Sequence, residues 1–310
     1  VLIGPHPLPE IAPHAGVTGL AIGVFDGVHL GHQAVVRSLS GNVAALTFEP
    51  HPLAIIAPDR VPPRLTTLEQ KVAYLRAQGM VAVIAVKFDA ALRELSAAAF
   101  VDEIRRIFPD LQQVAIGEGW SFGRNREGNA ARLAELAATH GFSVKSIAPV
   151  LLEGAPVSST RIREAILQRR FDEAARLLGR SYAVTGKVIQ GDQRGRLLGF
   201  PTANLADVEQ LLPPRGVYAV RARVAGNLAK YPAVMNLGRR PTFTSNGVDS
   251  LEVHLLDFQA DLYGQKLWVS DFVRLRDELA FSGPEALQAQ IARDILQAKA
   301  LFRPGASPLK

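Results

Sequence analysis

Apolar runs and amphipathic stretches take turns along the first half of the chain. Residues 20–24, 43–48, 81–86 and 114–117 are short, apolar and rich in branched side chains, the texture of strands buried on both faces. Between them, Thr67-x-x-Gln70 predicts a capping box for a helix with Leu68, Val72 and Leu75 on one face. Ser96 opens another helix, with Phe100, Ile104 and Ile107 on its apolar side. Further helical stretches fall at 33–39 and at 161–178, the latter ending at Gly179. Strands separated by helices predict a parallel sheet wrapped on both faces, a Rossmann-like α/β domain with ligands beyond the carboxyl ends of its strands.

The texture then changes. From Ser181 to about Arg276 the chain shows period-two alternation and Gly- and Pro-rich turns, as in residues 218–224 and 251–255. That predicts a small antiparallel barrel or sandwich, with the barrel preferred. A last amphipathic helix at about 284–301 presents Leu287, Ile291 and Ile295, and Pro284 suits its first turn. The boundary falls near residue 180, giving domains 1–180 and 181–310. No internal repeat or low-complexity tract interrupts this order.

Composition narrows the class. The chain has 310 residues, 48% hydrophobic and 21% charged, enough for two globular domains with their own cores. No apolar run reaches membrane-spanning length, and the first residues lack a signal-peptide pattern. Without an initiator Met, a few residues are expected to precede Val1. The absence of cysteine rules out disulfides and fits a cytoplasmic protein. A net charge of +6 invites a nucleic-acid partner, but the arginines are scattered and no basic run interleaves with aromatics. The charge suits a protein that handles several phosphate groups. Neither a nucleic acid nor a membrane is expected as a partner.

The candidate chemistry begins at the end of the first strand, in Gly23-Val-Phe-Asp-Gly-Val-His-Leu-Gly-His32. A strand-to-helix junction offers unpaired backbone N–H groups and the positive end of a helix dipole. His29 and His32 are one turn apart and can face one anion. Gly31 removes a side chain that would hold the anion off, and Gly27 permits a tight turn after Asp26. Gly23, Phe25, Asp26, Gly27 and Gly31 thus form an expected phosphate cradle, with His29 and His32 as added donors. Zinc ranks low, because cysteine is absent and no third ligand stands at the right spacing.

Two more segments carry phosphate-like patterns. In Val157-Ser-Ser-Thr-Arg-Ile-Arg163, Ser159 or Thr160 can cap a helix, and Arg163 shares a face with Ser159. An ordinary capped helix accounts for that segment taken alone. In Gly191-Asp-Gln-Arg-Gly-Arg-Leu-Leu-Gly-Phe-Pro-Thr-Ala-Asn204, Gly195 and Gly199 allow close approach to a ligand. Thr202 and Asn204 point the same way if extended, and their oxygens suit Mg²⁺. A Gly/Pro turn explains that string equally well on physics alone. Farther on, Leu251, Val253 and Leu255 share a core face, and Glu252 and His254 project from the other.

These strings carry a resemblance. His-Leu-Gly-His at 29–32 and Ser-Ser-Thr-x-Ile-Arg at 158–163 resemble the two signatures of the nucleotidylyltransferase superfamily. Gly-Phe-Pro-Thr-Ala-Asn at 199–204 resembles the flavokinase signature. Together they look like bacterial bifunctional riboflavin kinase/FMN adenylyltransferases, over about residues 17–302. The resemblance implies a nucleotidyltransferase first domain, in which FMN attacks the α-phosphorus of ATP and pyrophosphate leaves. His29, His32 and Arg163 would supply donors there, Ser159 and Thr160 would hold the leaving group, and Mg²⁺ would screen it. It implies a flavokinase second domain that phosphorylates riboflavin, with Glu252 as general base, Thr202 and Asn204 on Mg²⁺, and Arg276 near the flavin. The stretch 236–242 resembles a family turn that frames the substrate. One departure stands out. Gly119 occupies a position where the family carries Asp or Asn, in Gly117-Glu-Gly-Trp-Ser-Phe-Gly123. Trp120, Phe122 and Asn125 are then the expected flavin contacts, with Glu118 as a substitute donor, although paired loop aromatics are as often local core. The alternatives are a riboflavin kinase with an impaired first domain, or a regulator that binds flavin or nucleotide without turnover.

Overall fold

Parallel strands buried on both faces need apolar residues at every position, and the first half of the chain supplies them. The structure, a computed structural model, describes residues 2–191, 195, 199–239 and 249–303. Its first sheet contains β1 (Leu2–His6), β2 (Gly19–Ile22), β3 (Val43–Glu49), β4 (Ala82–Lys87), β5 (Gln113–Gly117) and β6 (Ser143–Ile147). The strands run in the order β1-β4-β3-β2-β5-β6, and every pair is parallel. Leu20, Ile22, Leu46, Ile84 and Ile116 pack with Phe100 and Ile104 of the helix Ala97–Ile107. Ala21, Val43, Ala45, Val83 and Ala115 pack with Val35, Val36 and Leu75 on the other face. The chain leaves β2 toward β3 on one side and returns as β5 on the other. The carboxyl end of β2 is therefore the switch point where such sheets bind ligands.

Local signals set the helix starts. Thr67 and Gln70 form the capping box, and Ser96 caps the next helix through the Ala99 N–H. The helix after β2 begins at Leu30, three residues before the apolar periodicity shows it, because His29 acts as its cap. The stretch predicted as one helix to Leu178 is two, Ser159–Leu167 and Phe171–Leu178, with Arg169 between them at φ 59. A left-handed residue cannot continue a right-handed helix. A short hairpin, β7 (Leu151–Leu152) with β8 (Ala155–Pro156), precedes them.

The chain divides into two compact units, Val1–Arg161 with Leu177–Gly179, and Ile162–Arg176 with Arg180–Lys310. In the second unit, β9 (Ala183–Ile189), β10 (Ala203–Ala206), β11 (Gly216–Val224), β12 (Tyr231–Arg239), β13 (Asp249–Leu255) and β14 (Lys266–Arg276) close an antiparallel barrel. Tyr218, Val220, Met235, Val253 and Leu267 are fully buried at alternate positions of those strands. The helix Pro284–Leu301 starts on Pro284 and packs Ile295, Ala298 and Leu301 against Val217, Ala219 and Val234. Asp294 lies buried on the same helix.

Candidate functional sites in the two units

The turn after β2 is built around its own backbone. Phe25, Gly27 and Val28 all take positive φ (53, 85 and 42), and Phe25 and Val28 are fully buried. Non-glycine residues hold such backbone only where the surroundings enforce it, often at functional sites. The enforcement is visible. Asp26 accepts from the N–H of Leu65 at 2.9 Å and of Thr66 at 3.1 Å, and the Gly27 N–H donates to Thr66 Oγ1 at 3.1 Å. The Asp26 carboxylate therefore clamps a neighbouring loop and does not face an anionic ligand. A Cβ on Gly23 would lie 3.2 Å from the Phe25 ring, so that glycine makes room for the phenyl group.

His29 and His32 stack with ring centroids 3.6 Å apart and planes 17° from parallel. His29 Nδ1 accepts from the His32 backbone N–H at 3.3 Å. A neutral His29 ring then carries its proton on Nε2, which makes that atom a donor. Phe25 meets His32 edge-on at 5.3 Å. Gly31 serves the histidine rather than a ligand, since a Cβ there would stand 3.1 Å from His29 Cε1.

The segment at 157–160 closes on this turn. Ser159 Oγ donates to the Asp26 carbonyl at 2.9 Å, and the Val157 carbonyl lies near Gly31. Neither Ser159 nor Thr160 caps the following helix, as the sequence had suggested. Ser158 does, accepting from the Arg161 N–H at 3.2 Å. Ser159 is thereby released to tie the two segments together, and Thr160 is exposed. Arg163 is half-buried one turn farther along the same helix.

The aromatic pair in the 117–128 loop divides in two. Phe122 is a core side chain, because Trp120 stacks on it at 4.8 Å, Phe100 lies 5.5 Å away, and a Cβ on Gly128 would meet its ring at 2.5 Å. With both sides of its ring covered, it offers no surface to a flavin. Trp120 stays half-buried, Asn125 is exposed at φ 55, and Gly119 has open space around it.

In the barrel, register assembles the second constellation. Asn204 of β10 and Asn236 of β12 both lie directly opposite Glu252 of β13. Thr202 Oγ1 donates to Glu252 Oε2 at 3.2 Å, and Ser250 Oγ to Oε1 at 3.3 Å. His254 Nδ1 donates to the Pro201 carbonyl at 2.7 Å and so pins the residue before Thr202. The sequence shows Asn236 only as part of a turn, whereas pairing across strands places it beside the carboxylate. The rest of that string, from 240 to 242, lies outside the described residues, as do 192–194 and 196–198. Gly195 and Gly199 differ in their surroundings, Gly195 packing on neighbouring backbone and Gly199 having open space around it. A Cβ on Gly195 would meet the Phe200 carbonyl at 2.5 Å, and Gly199 is needed for its φ of +84. A cavity of about 530 Å³ adjoins Thr202, lined also by Pro201, Val253, Phe258, Leu262 and Tyr263.

Arg276 departs from the expected flavin contact. Its Nε and Nη2 donate to Asp294, at 3.1 and 2.8 Å, and its Nη1 donates to the Asp277 carbonyl. Gln290 donates to the same carboxylate. A guanidinium so committed staples β14 to the terminal helix.

Comparison with known proteins matches both halves. Residues 12–161 match the FAD synthetase family and residues 178–302 the riboflavin kinase family. The chain is 38% identical over 307 residues to the bifunctional riboflavin kinase/FMN adenylyltransferase of Escherichia coli (strain K12), covering 96% of each. It is 39% identical over 292 residues to that of Pseudomonas fluorescens, covering 92% of this chain and 93% of the other. A solved structure of a macrolide-efflux protein from Streptococcus pneumoniae superposes with a TM-score of 0.81 at 27% identity, covering 96% of this chain and 98% of that one. Among the described residues no helix here is long and apolar enough to cross a membrane.

Proposed function

The chain belongs to the bifunctional riboflavin kinase/FMN adenylyltransferase family, and on that premise we propose which of its side chains carry the two transfers. It is an enzyme that uses ATP to phosphorylate riboflavin to FMN and then adenylylates FMN to FAD. Adenylyl transfer is assigned to residues 1–180 and the kinase to 181–310.

In the first site an FMN phosphate oxygen attacks the α-phosphorus of ATP, and pyrophosphate departs. Such a reaction needs positioning and donors aimed at oxygens that gain charge, with no protein nucleophile. His29, through Nε2–H, and His32 are those donors, held parallel by their stacking and by the cap bond between them. The left-handed turn at 23–28 and the N-terminus of the helix at Leu30 receive the phosphates. Trp120 is the flavin-side aromatic that remains.

In the second site Glu252 takes the proton of the riboflavin 5′-hydroxyl as that oxygen attacks the γ-phosphorus of ATP. Thr202 and Asn204 offer hard oxygen donors beside a carboxylate, a set that fits Mg²⁺. Bound there, the ion would neutralise charge on the transferring phosphates. The cavity next to Thr202 has the size of a nucleotide pocket and is assigned to the nucleoside of ATP. A cysteine-free chain of this activity is placed in the cytoplasm. The reading is carried by Asn204 and Glu252 meeting on adjacent strands with Thr202 just before the first, in one unit, while His29 and His32 stack in the other. Incubation with riboflavin, ATP and Mg²⁺, followed by chromatography, tests it. FMN and FAD are expected; FMN alone favours the impaired-domain alternative, and neither product favours a regulator.

A further inference from the structure

Lys71 occupies the apolar face of the helix Leu68–Ala77, in helical register with Leu68, Val72 and Leu75, and only 4% of it is exposed. A buried ammonium is costly unless its charge and its hydrogens are used. Its Nζ donates to Thr47 Oγ1 at 3.2 Å, and Thr47 Oγ1 donates to the Val24 carbonyl at 2.9 Å. Val24 is the residue by which the chain enters the left-handed turn. The charged groups facing the amine are Glu49 at the end of β3, Asp26 in the turn and Arg64 in the loop beyond, where Arg64 pairs with Glu49 at 3.0 Å. Burial holds the amine below the ordinary lysine value; Glu49 and Asp26 pull it back up, and Arg64 opposes them.

We propose that Lys71 is a positioning residue for adenylyl transfer: its ammonium fixes the Val24 carbonyl through Thr47 and balances two carboxylates beneath a turn that must accept a polyphosphate. Without the bond, the backbone carrying Phe25 and the cap of His29 loses its tie to β3 and the helix. Without the charge, Asp26 and Glu49 stand uncompensated next to an incoming anion. Lys71 touches no substrate in this account, and the inference rests on reading the 23–32 turn as the adenylyl site.

The test uses the full chain and measures FAD formation from FMN, with riboflavin phosphorylation in the same sample as a control for the second unit and thermal unfolding as the control for folding of the first. Lys71→Met is expected to lower kcat/KM for adenylyl transfer on the order of 100-fold, the scale of a misplaced site, with the kinase unchanged. Thr47→Val, which keeps the charge and breaks the relay, should lower kcat for adenylyl transfer alone. In the wild type, KM for ATP should rise on the alkaline side as the amine loses its proton. Lys71→Arg stays charged and should lack that rise. Full adenylyl transfer in Lys71→Met, or the same alkaline profile in wild type and Lys71→Arg, overturns the proposal. Should Lys71→Met lose both activities, the Thr47→Val rates and the wild-type profile against Lys71→Arg still decide. A parallel His32→Ala sample separates the two levels, because retained FAD formation there refutes the site itself rather than the role of Lys71.

Discussion

Ser159 Oγ reaches back across 133 residues to donate to the Asp26 carbonyl at 2.9 Å. That bond joins the start of one signature to the middle of the other. On the proposed reading neither segment is a site alone: the turn supplies histidines and backbone, and the later segment supplies hydroxyls. Ser159→Ala should therefore cost adenylyl transfer through misplacement of the turn. Steady-state assays should give a lower kcat for FAD formation and an unaltered rate of FMN formation; equal rates in the variant would contradict this.

On the proposed reading, His32→Ala removes a donor from the charge-bearing oxygens. The expected loss is about 3 kcal/mol of transition-state stabilisation, the scale of one lost oxyanion donor. FAD formation should fall while FMN accumulates.

Gly31→Ala separates activity from stability. The new Cβ would lie 3.1 Å from His29 Cε1 and 3.2 Å from Nδ1, so the ring must give by a few tenths of an ångström and its stacking on His32 is displaced. Alanine improves helix propensity by about 1 kcal/mol over glycine. Thermal unfolding should show no loss of stability, while FAD formation drops. A destabilised variant with full activity would run the other way.

Gly119→Asp restores the residue type that the family resemblance leads one to expect. A Cβ at Gly119 meets nothing within 4 Å, so the backbone there accepts a side chain. A lower KM for FMN with unchanged melting is expected; a raised KM would show that this chain uses the space differently.

Lys71 also predicts a pH dependence of stability. Its native pKa is depressed by burial below the ordinary 10.5, so between the two values the unfolded chain holds a proton that the folded chain has lost. Stability contributed by this group then rises with pH across that window, and below it the cost of the buried charge is constant. In denaturant melts the difference between wild type and Lys71→Met should shift in favour of the wild type as pH climbs toward 10.5. A difference flat with pH would contradict the buried-ammonium description.

Much of this architecture is legible in the chain because local signals and burial agree. The capping box at Thr67 and Gln70, the Ser96 cap and the Pro284 start all appear where their chemistry demands. β6 escapes notice because Ser143, Lys145 and Ser146 break its apolar run at the edge of the sheet. The true cap at Ser158 cannot be told from its hydroxyl neighbours by composition. Phe122 and Arg276 look like ligand contacts in sequence, yet their partners Gly128 and Asp294 become visible only when the chain is folded. Lys71 leaves one trace, a lysine at an apolar helical position. Asn236 shows in sequence only as the start of the 236–242 stretch, since strand register alone sets it against Glu252.

Two independent phosphorus-transfer sites on one chain are best tested by complementation. His32→Ala and Glu252→Gln are incubated with riboflavin, ATP and Mg²⁺, separately and then mixed, and the flavins are resolved. His32→Ala should stop at FMN, Glu252→Gln should leave riboflavin untouched yet convert added FMN to FAD, and the mixture should make FAD. Loss of both steps in either folded variant, or a mixture that yields no FAD, would contradict the account.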